Sequence, residues 1–440
     1  MTADTARFAT RAVHAARTRD VAAARATPIY LTAGFEFDDF DHAADHFGTG
    51  AGFGYTRTGN PTIRAVERQI AALESGADAL LVASGQAAVV TALLTVAGAG
   101  DHIVSSTHIY EGSRGLFLDN LSRLGIETTF IDDIADPAAW RAAIRPNTRA
   151  LFAESIANAR NDILDIAAVS AVADESAIPL IVDNTLATPF LVRPLEHGAA
   201  IVVHSASKFL AGHGSVLGGV IVDDGRFDAA TSGHNAPHLV LPGRNGEPSV
   251  AARHGGNARI AYARETVAPR FGASPSPLNA FLIGQGVETL GLRVERQSRN
   301  AQAIAAFLAA HPAIAGVDYA GLPTHPDHAT ARRYLDGGFG SIFTVTLRGG
   351  LPAARDFVES VGVFVHMTHI GDVRSLVLHP GTTSHSHRTE EERLALGVHP
   401  GTVRLSIGIE DVDDLIGDLS RVLATVHEDV RRDDVREAVA

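Results

Sequence analysis

Lysine occurs once in these 440 residues, at Lys208; of 37 Lys and Arg together, the remaining 36 are arginine. Arginine stays protonated in proteins and forms no imine, whereas a lysine amine can lose its proton and attack a carbonyl. Lys208 ends the stretch Val203-His-Ser-Ala-Ser-Lys208, just past an apolar run. Open α/β sheets bind their ligands at the carboxyl ends of such strands. Apolar neighbours there disfavour the ammonium and free the amine. Ser205 and Ser207 add two hydroxyls suited to a phosphate. The plainer reading, a surface lysine left over from drift toward arginine, leaves that placement unexplained.

Asp183 closes Pro179-Leu-Ile-Val-Asp183. A buried acid needs a cationic partner, and a pyridinium nitrogen would be one; an N-cap or a structural ion pair would also account for it. Lysine and aspartate together point to pyridoxal 5'-phosphate, held as a Schiff base on Lys208. Ser84-Gly-Gln86 follows an apolar run and opens a helix, so Gly85 and Gln86 could offer backbone N–H groups to a phosphate, or simply form a strand-to-helix turn. Tyr55-Thr-Arg57 carries an arginine suited to bidentate phosphate binding, or belongs to an ordinary surface loop. Arg404, within Val403-Arg-Leu-Ser-Ile-Gly408, is a charge among apolar residues. It calls for a carboxylate, either a substrate's or a structural one. His366-Met-Thr-His369, His385-Ser-His387 and His213-Gly214 bring histidines together. No third ligand completes a pattern, so no metal is expected.

The elements that position these residues follow from periodicity. Runs at 79–84, 101–105, 148–154, 179–183, 199–204 and 218–223 are mostly continuously apolar, the pattern of strands buried on both faces of a largely parallel sheet. Helical spacing covers 62–73 and 86–96, and one long helix is expected over 276–310. Residues 226–256, rich in Gly, Pro, His and Asn, read as a long excursion. Strands are expected at 339–347 and 401–409, and a solvated helix end at 428–440. The length favours two domains. A hydrophobic fraction of 45% and a charged fraction of 20% suit a soluble globular enzyme. The net charge of -13 argues against nucleic-acid or anionic-membrane partners. The lack of cysteine excludes disulfides, thiolate metal sites and a catalytic thiol. With no apolar span and no apolar signal core, a cytoplasmic location is expected. A Rossmann-type dehydrogenase would need a glycine fingerprint after the first strand, which is missing. A cofactor-binding chain without catalysis remains an alternative.

The motifs Tyr55-Thr-Arg…Asn60-Pro-Thr62, Ala83-Ser-Gly-Gln-Ala-Ala88, Asp183-Asn-Thr185, His204-Ser-Ala-Ser-Lys-Phe…Gly212-His-Gly214, Gly371-Asp-Val-Arg-Ser-Leu376 and Arg404-Leu-Ser-Ile-Gly-Ile-Glu410 resemble the Cys/Met-metabolism family of pyridoxal-phosphate enzymes over nearly the whole chain. The resemblance implies an α/β, aspartate aminotransferase-like (fold type I) architecture. A pyridoxal-phosphate domain with a mostly parallel sheet would span 61–275 and a smaller α+β domain 276–440. Residues 1–60 would form an arm reaching a neighbouring subunit. It implies Lys208 as Schiff-base lysine, Asp183 as pyridinium partner, and Gly85, Gln86, Ser205 and Ser207 as a phosphate cup completed by the adjacent subunit's Tyr55 and Arg57. Tyr110 would stack on the ring and assist catalysis, Asn158 would sit near the ring hydroxyl, and Arg404 and Ser375 would flank the substrate carboxylate. The sulfhydrylase branch, with a similar insertion near 226–256, is the most alike. This implies γ-replacement on O-acetylhomoserine by sulfide or a thiol in a homo-oligomer, a dimer at least and a tetramer by family habit. O-succinylhomoserine sulfhydrylase, cystathionine γ-synthase or γ-lyase, and methionine γ-lyase activities share the same cofactor residues and remain alternatives. Two positions depart from the family: Glu111 stands where glycine is usual after the tyrosine, and Ala159 where proline is usual after the asparagine. Glu111 bears on which substrate side chain is admitted.

Overall fold

The chain's computed structural model describes residues 6–15, 23–158 and 160–439, the side chains of 49 and 426–439 excepted. Seven strands form the main sheet: β1 (Asp78–Val82), β2 (His102–Ser106), β3 (Glu127–Ile131), β4 (Thr148–Glu154), β5 (Leu180–Asp183), β6 (Ile201–His204) and β7 (Gly219–Asp223), in the order β1-β7-β6-β5-β4-β2-β3. Only β7 runs against its neighbours, β1 and β6; the pairings among β2 to β6 are parallel. Successive side chains alternate between two apolar layers. Leu81, Val182 and Val202 pack with helices Pro61–Glu74 and Pro277–Glu288. Leu80, Ile181 and Val203 pack with helix Gly85–Val96 on the other face. Two-sided burial is why these strands read as unbroken apolar runs. Strand β3 escaped the sequence reading because it is an edge strand, paired with β2, and its polar Glu127-Thr-Thr start is only partly buried.

A second, five-stranded sheet contains β8 (Ile314–Asp318), β9 (Ile342–Leu347), β10 (Val365–His366), β11 (Leu376–Leu378) and β12 (Thr402–Ser406), in the order β10-β11-β12-β9-β8. Strand β12, which carries Arg404, is buried along its whole length. The helix Leu290–Ala309 belongs to both cores: Leu290 and Val294 pack with the main sheet, Ile304 and Leu308 with the second.

Two segments differ from the sequence-based expectation. The periodic run over 276–310 is two helices, Pro277–Glu288 and Leu290–Ala309, with a break at Thr289. The Gly286 carbonyl accepts from Arg293 Nη2 (2.6 Å) and from the Thr289 hydroxyl (3.3 Å), so side chains take over an acceptor near the end of the first helix. Residues 226–256 are a packed set of short helices rather than an open excursion, with Phe227, Leu239 and Ala258 as their own small core. In the N-terminal region, helix Phe8–His14 docks on its own chain: Ala12 is buried, and Phe8 meets Phe190 edge-on at 5.3 Å.

The turn after β1 is set by a close backbone approach. A Cβ at Gly219 would overlap the Ser84 carbonyl, and one at Gly85 would come within 2.7 Å of Ser205 Cβ. Gly219→Ala is therefore expected to lower the denaturant midpoint, at a cost of about 1–3 kcal/mol. Gly417→Ala, in open space on the exposed face of helix Val412–Val439, is expected to hold or raise it. Equal midpoints for the wild type and Gly219→Ala would contradict the packing at this turn.

Candidate active site

Residues from distant parts of the chain converge at the carboxyl ends of β4, β5 and β6, where an open α/β sheet binds ligands. Glu154 ends β4, Asp183 ends β5 beside it in register, and Lys208 follows β6 in a short turn. Arg293 steadies that turn, donating from Nη1 to the Phe209 carbonyl at 2.8 Å.

The Lys208 ammonium donates to Nδ1 of His369 at 3.0 Å and forms no ion pair with an acid among the described residues. Burial first, and then the Arg404 charge, pull its pKa down to about 8. His369 is pushed down to about 4, mainly by burial and next by the Lys208 charge. The ring is therefore neutral, with Nδ1 as acceptor. Its Nε2 is buried with no hydrogen-bond partner.

Asp183 accepts from the Thr185 N–H (2.9 Å) and hydroxyl (2.5 Å), both through Oδ1. Its Oδ2 accepts no hydrogen bond from the described residues, which leaves an oxygen for a ring N–H. Burial raises its pKa; the Thr185 bonds and the His204 charge oppose that rise. Glu154 is pushed well above the usual carboxylate range by burial and then by the Asp183 charge. Two like charges side by side out of water do not both persist, so Glu154 keeps the proton and Asp183 is the anion. Glu154 also accepts from the backbone N–H of Tyr110 (2.6 Å) and of Asn158 (3.3 Å), tying the segments after β2 and β4 together.

Arg404 is 5% exposed and forms no ion pair among the described residues. Among the described residues its side chain makes one hydrogen bond, from Nη1 to Asn158 Oδ1 at 3.4 Å, and burial lowers its pKa to about 10. A buried, charged guanidinium with so little satisfaction would suit an anion. Ser375 is placed differently: its backbone N–H (2.6 Å) and hydroxyl (3.0 Å) both donate to Glu410, and its oxygen accepts from the Gly408 N–H at 2.9 Å.

Gly85 starts helix Gly85–Val96, capped by the Ser84 hydroxyl, and lies against Ser205. The Ser205 hydroxyl has no hydrogen-bond partner among the described residues. This helix N-terminus facing a serine suits a phosphate. Gln86 Nε2 donates to the Gly112 carbonyl at 2.8 Å. The Ser207 hydroxyl is occupied by the Gly218 backbone, donating to its carbonyl (3.2 Å) and accepting from its N–H (3.0 Å). The half-exposed Tyr110 ring lies over Gly112, where a Cβ would overlap it. Tyr55 and Arg57 form no hydrogen bond with any of these groups: Arg57 donates to the Pro269 carbonyl at 3.0 Å, and its guanidinium lies 5.5 Å from the exposed Tyr55 ring. Glu111 is paired with Arg388, and Ala159 lies outside the described residues.

Sequence reasoning missed two residues. Glu154 bore the same signal as Asp183, an acid closing an apolar strand. His369 stood out only as half of a histidine pair; its partnership with Lys208, 161 positions away, has no local signature.

The free Asp183 oxygen, the acid-free Lys208 and the helix N-terminus opposite Ser205 fit pyridoxal phosphate, an aldehyde with a cationic ring and an anionic tail. Comparison with known proteins agrees. The model of the Cys/Met metabolism PLP-dependent enzyme family matches residues 9–424. An O-acetyl-L-homoserine sulfhydrylase of Corynebacterium glutamicum is 43% identical over 429 residues, covering 95% of this chain and 97% of its own. A homocysteine synthase of Schizosaccharomyces pombe is 39% identical, covering 96% and 99%. A Campylobacter jejuni crystal structure described as an O-acetylhomoserine (thiol)-lyase, with N'-pyridoxyl-lysine-5'-monophosphate in its chain, superposes with a TM-score of 0.91 at 34% identity, covering 95% of this chain and all of that one. Matched along almost its full length in sequence and in fold, the chain belongs to the Cys/Met metabolism family of PLP-dependent enzymes.

Proposed function

We propose that this enzyme performs γ-replacement on O-acetyl-L-homoserine: acetate leaves, sulfide or a thiol enters, and homocysteine or methionine is formed. The observation that carries the reading is Arg404, a buried guanidinium without an acidic partner that lowers the pKa of Lys208 through its charge. Such a pair suits an amino acid, whose α-carboxylate meets the arginine while its α-carbon faces the lysine. Relatives named for O-acetylhomoserine chemistry support the choice of side chain.

When bound, pyridoxal phosphate supplies an electron sink for charge developing at the substrate carbons. Asp183 would hold the ring nitrogen through Oδ2, with Glu154 neutral behind it. Gly85, Gln86 and Ser205 would cradle the phosphate, with Ser207 shaping their loop through Gly218. Tyr55 and Arg57 would serve a neighbouring subunit's phosphate, which makes a homodimer the minimal working unit and a tetramer the expected assembly. Tyr110 would cover the ring, Asn158 would approach its hydroxyl, and Ser375 would border the carboxylate through its grip on Glu410.

Arg404 fixes the carboxylate so that the Cα–H bond faces Lys208. Near neutral pH a lysine with a pKa of about 8 carries a useful fraction of free amine. That amine takes the proton from Cα and gives it up again to the conjugated system that the cofactor would supply; neutral once more, it takes a proton from Cβ so that acetate can leave Cγ, and after sulfide or a thiolate adds at Cγ it returns protons to Cβ and Cα. His369, accepting from Nζ, holds the amine between these positions. No helix among the described residues is long and apolar enough to cross a membrane, and a reaction among small water-soluble metabolites suits the cytoplasm.

The test is conversion of O-acetylhomoserine and sulfide to homocysteine; a cofactor-loaded protein that forms none would refute the assignment. Borohydride reduction of the loaded enzyme is expected to fix a pyridoxyl group on the Lys208 peptide alone, with no fixed label in Lys208→Ala. Arg404→Leu is expected to lower kcat/KM by about 100-fold or more, the scale for losing one partner of a buried charge pair. An unchanged kcat/KM would remove Arg404 from substrate binding.

A further inference from the structure

Glu111 reaches the segment after β11. Its Oε1 accepts from Arg388 Nε at 2.8 Å and pairs with Nη2 at 2.6 Å, and His385 Nε2 stands at 3.7 Å. The Arg388 side chain is only 8% exposed, and Glu111 is its one acidic partner among the described residues. Its Nη2 is buried without a well-formed hydrogen bond. Glu111, His385 and Asn158 line one cavity, and Asn158 Oδ1 is held by Arg404. Glu111 therefore stands in the wall of a small cavity that also holds Arg160 and Asp162, and Arg404 reaches that wall through its bond to Asn158.

Resting on the γ-replacement reading, we propose that the Glu111–Arg388 pair selects the acyl group of the substrate, admitting a neutral acetyl ester and turning away an ester that ends in a carboxylate. Arg388 alone would be a buried cation seeking an anion, and the distal carboxylate of a succinyl ester would satisfy it. With Glu111 already there, that carboxylate must displace an internal one and leave it unpaired out of water, or itself remain unpaired. Either outcome is unfavourable. The acetyl group brings no charge and meets no such penalty. The selection thus comes from an internal counter-ion that occupies the cation, not from a lack of cations in the wall.

The test compares kcat/KM for O-succinyl- and O-acetylhomoserine, with sulfide, in the cofactor-loaded enzyme. Wild type is expected to favour the acetyl ester. Glu111→Gln frees Arg388 and should raise the succinyl-to-acetyl ratio by about 30-fold or more, the lower end for completing a buried charge pair. Arg388→Met should not raise it, and the double variant should return to the wild-type ratio. Should Glu111→Gln fail to fold, Glu111→Asp, with its shorter reach, must move the ratio in the same direction. An unchanged ratio in a folded Glu111→Gln or Glu111→Asp enzyme overturns the proposal, and so does an equal rise in Arg388→Met, which would mean that space rather than charge decides. Affinities of both esters, read from the change in bound-cofactor absorbance without sulfide, give the same comparison without turnover. If wild type forms no homocysteine, the γ-replacement reading fails, and these affinities still decide whether the pair excludes the anionic ester.

Discussion

A buried Arg404 and a part-buried Lys208, neither with an acidic partner among the described residues, are the constraint around which this molecule is organised. Among the described residues the Arg404 side chain has a single long hydrogen bond, to Asn158, and Lys208 rests on a neutral histidine ring. Unpaired buried charge is unfavourable, and it persists only where the surrounding structure is over-determined. The consequence is chemical. Each cation disfavours the other, and Lys208, the weaker holder of its proton, is drawn toward the free-amine form that attacks carbonyls and accepts protons. The same deficit of negative charge would favour a phosphate and an α-carboxylate there.

The fold sustains this arrangement from both sides. On the main sheet, Arg293 grips the carbonyls just after Lys208, and Gly219 lets the turn at Ser84 close against β7. On the second sheet, Arg404 is locked into a fully buried strand whose neighbours, β9 and β11, pair along it. The helix Leu290–Ala309 is shared by both cores, so the lysine of one sheet and the arginine of the other are held at a fixed relation. The acids are arranged to avoid quenching the cations: Glu154 retains its proton next to Asp183, and Glu111 is consumed by Arg388.

Much of this was legible in the chain. Lys208 and Asp183 announced themselves because lysine is unique here and because an acid ending an apolar strand needs a reason. The strands buried on both faces carried their own signature, and Arg404 was conspicuous as a lone charge in an apolar strand. What was illegible depended on contacts across long separations. The His369–Lys208 bond and the pairing of Glu111 with Arg388 each join residues whose local sequence says nothing of the partner. Edge strand β3 was hidden for another reason, since a half-exposed strand has no continuous apolar run. The hydroxyl of Ser207 shows how motif position can mislead about contact: it stands beside Ser205 in sequence, yet its hydrogen bonds go to Gly218.

Burial and the Arg404 charge together depress the pKa of Lys208. With one lysine in the chain, an amine-selective acylating reagent reports on Lys208 alone once the terminal amine is accounted for. The reaction rate of the cofactor-free protein should rise with pH through a midpoint near 8. In Arg404→Leu the midpoint should move upward, because removing a nearby positive charge favours the ammonium. A wild-type midpoint at the ordinary lysine value of 10.5, or one that does not rise in Arg404→Leu, would contradict the account.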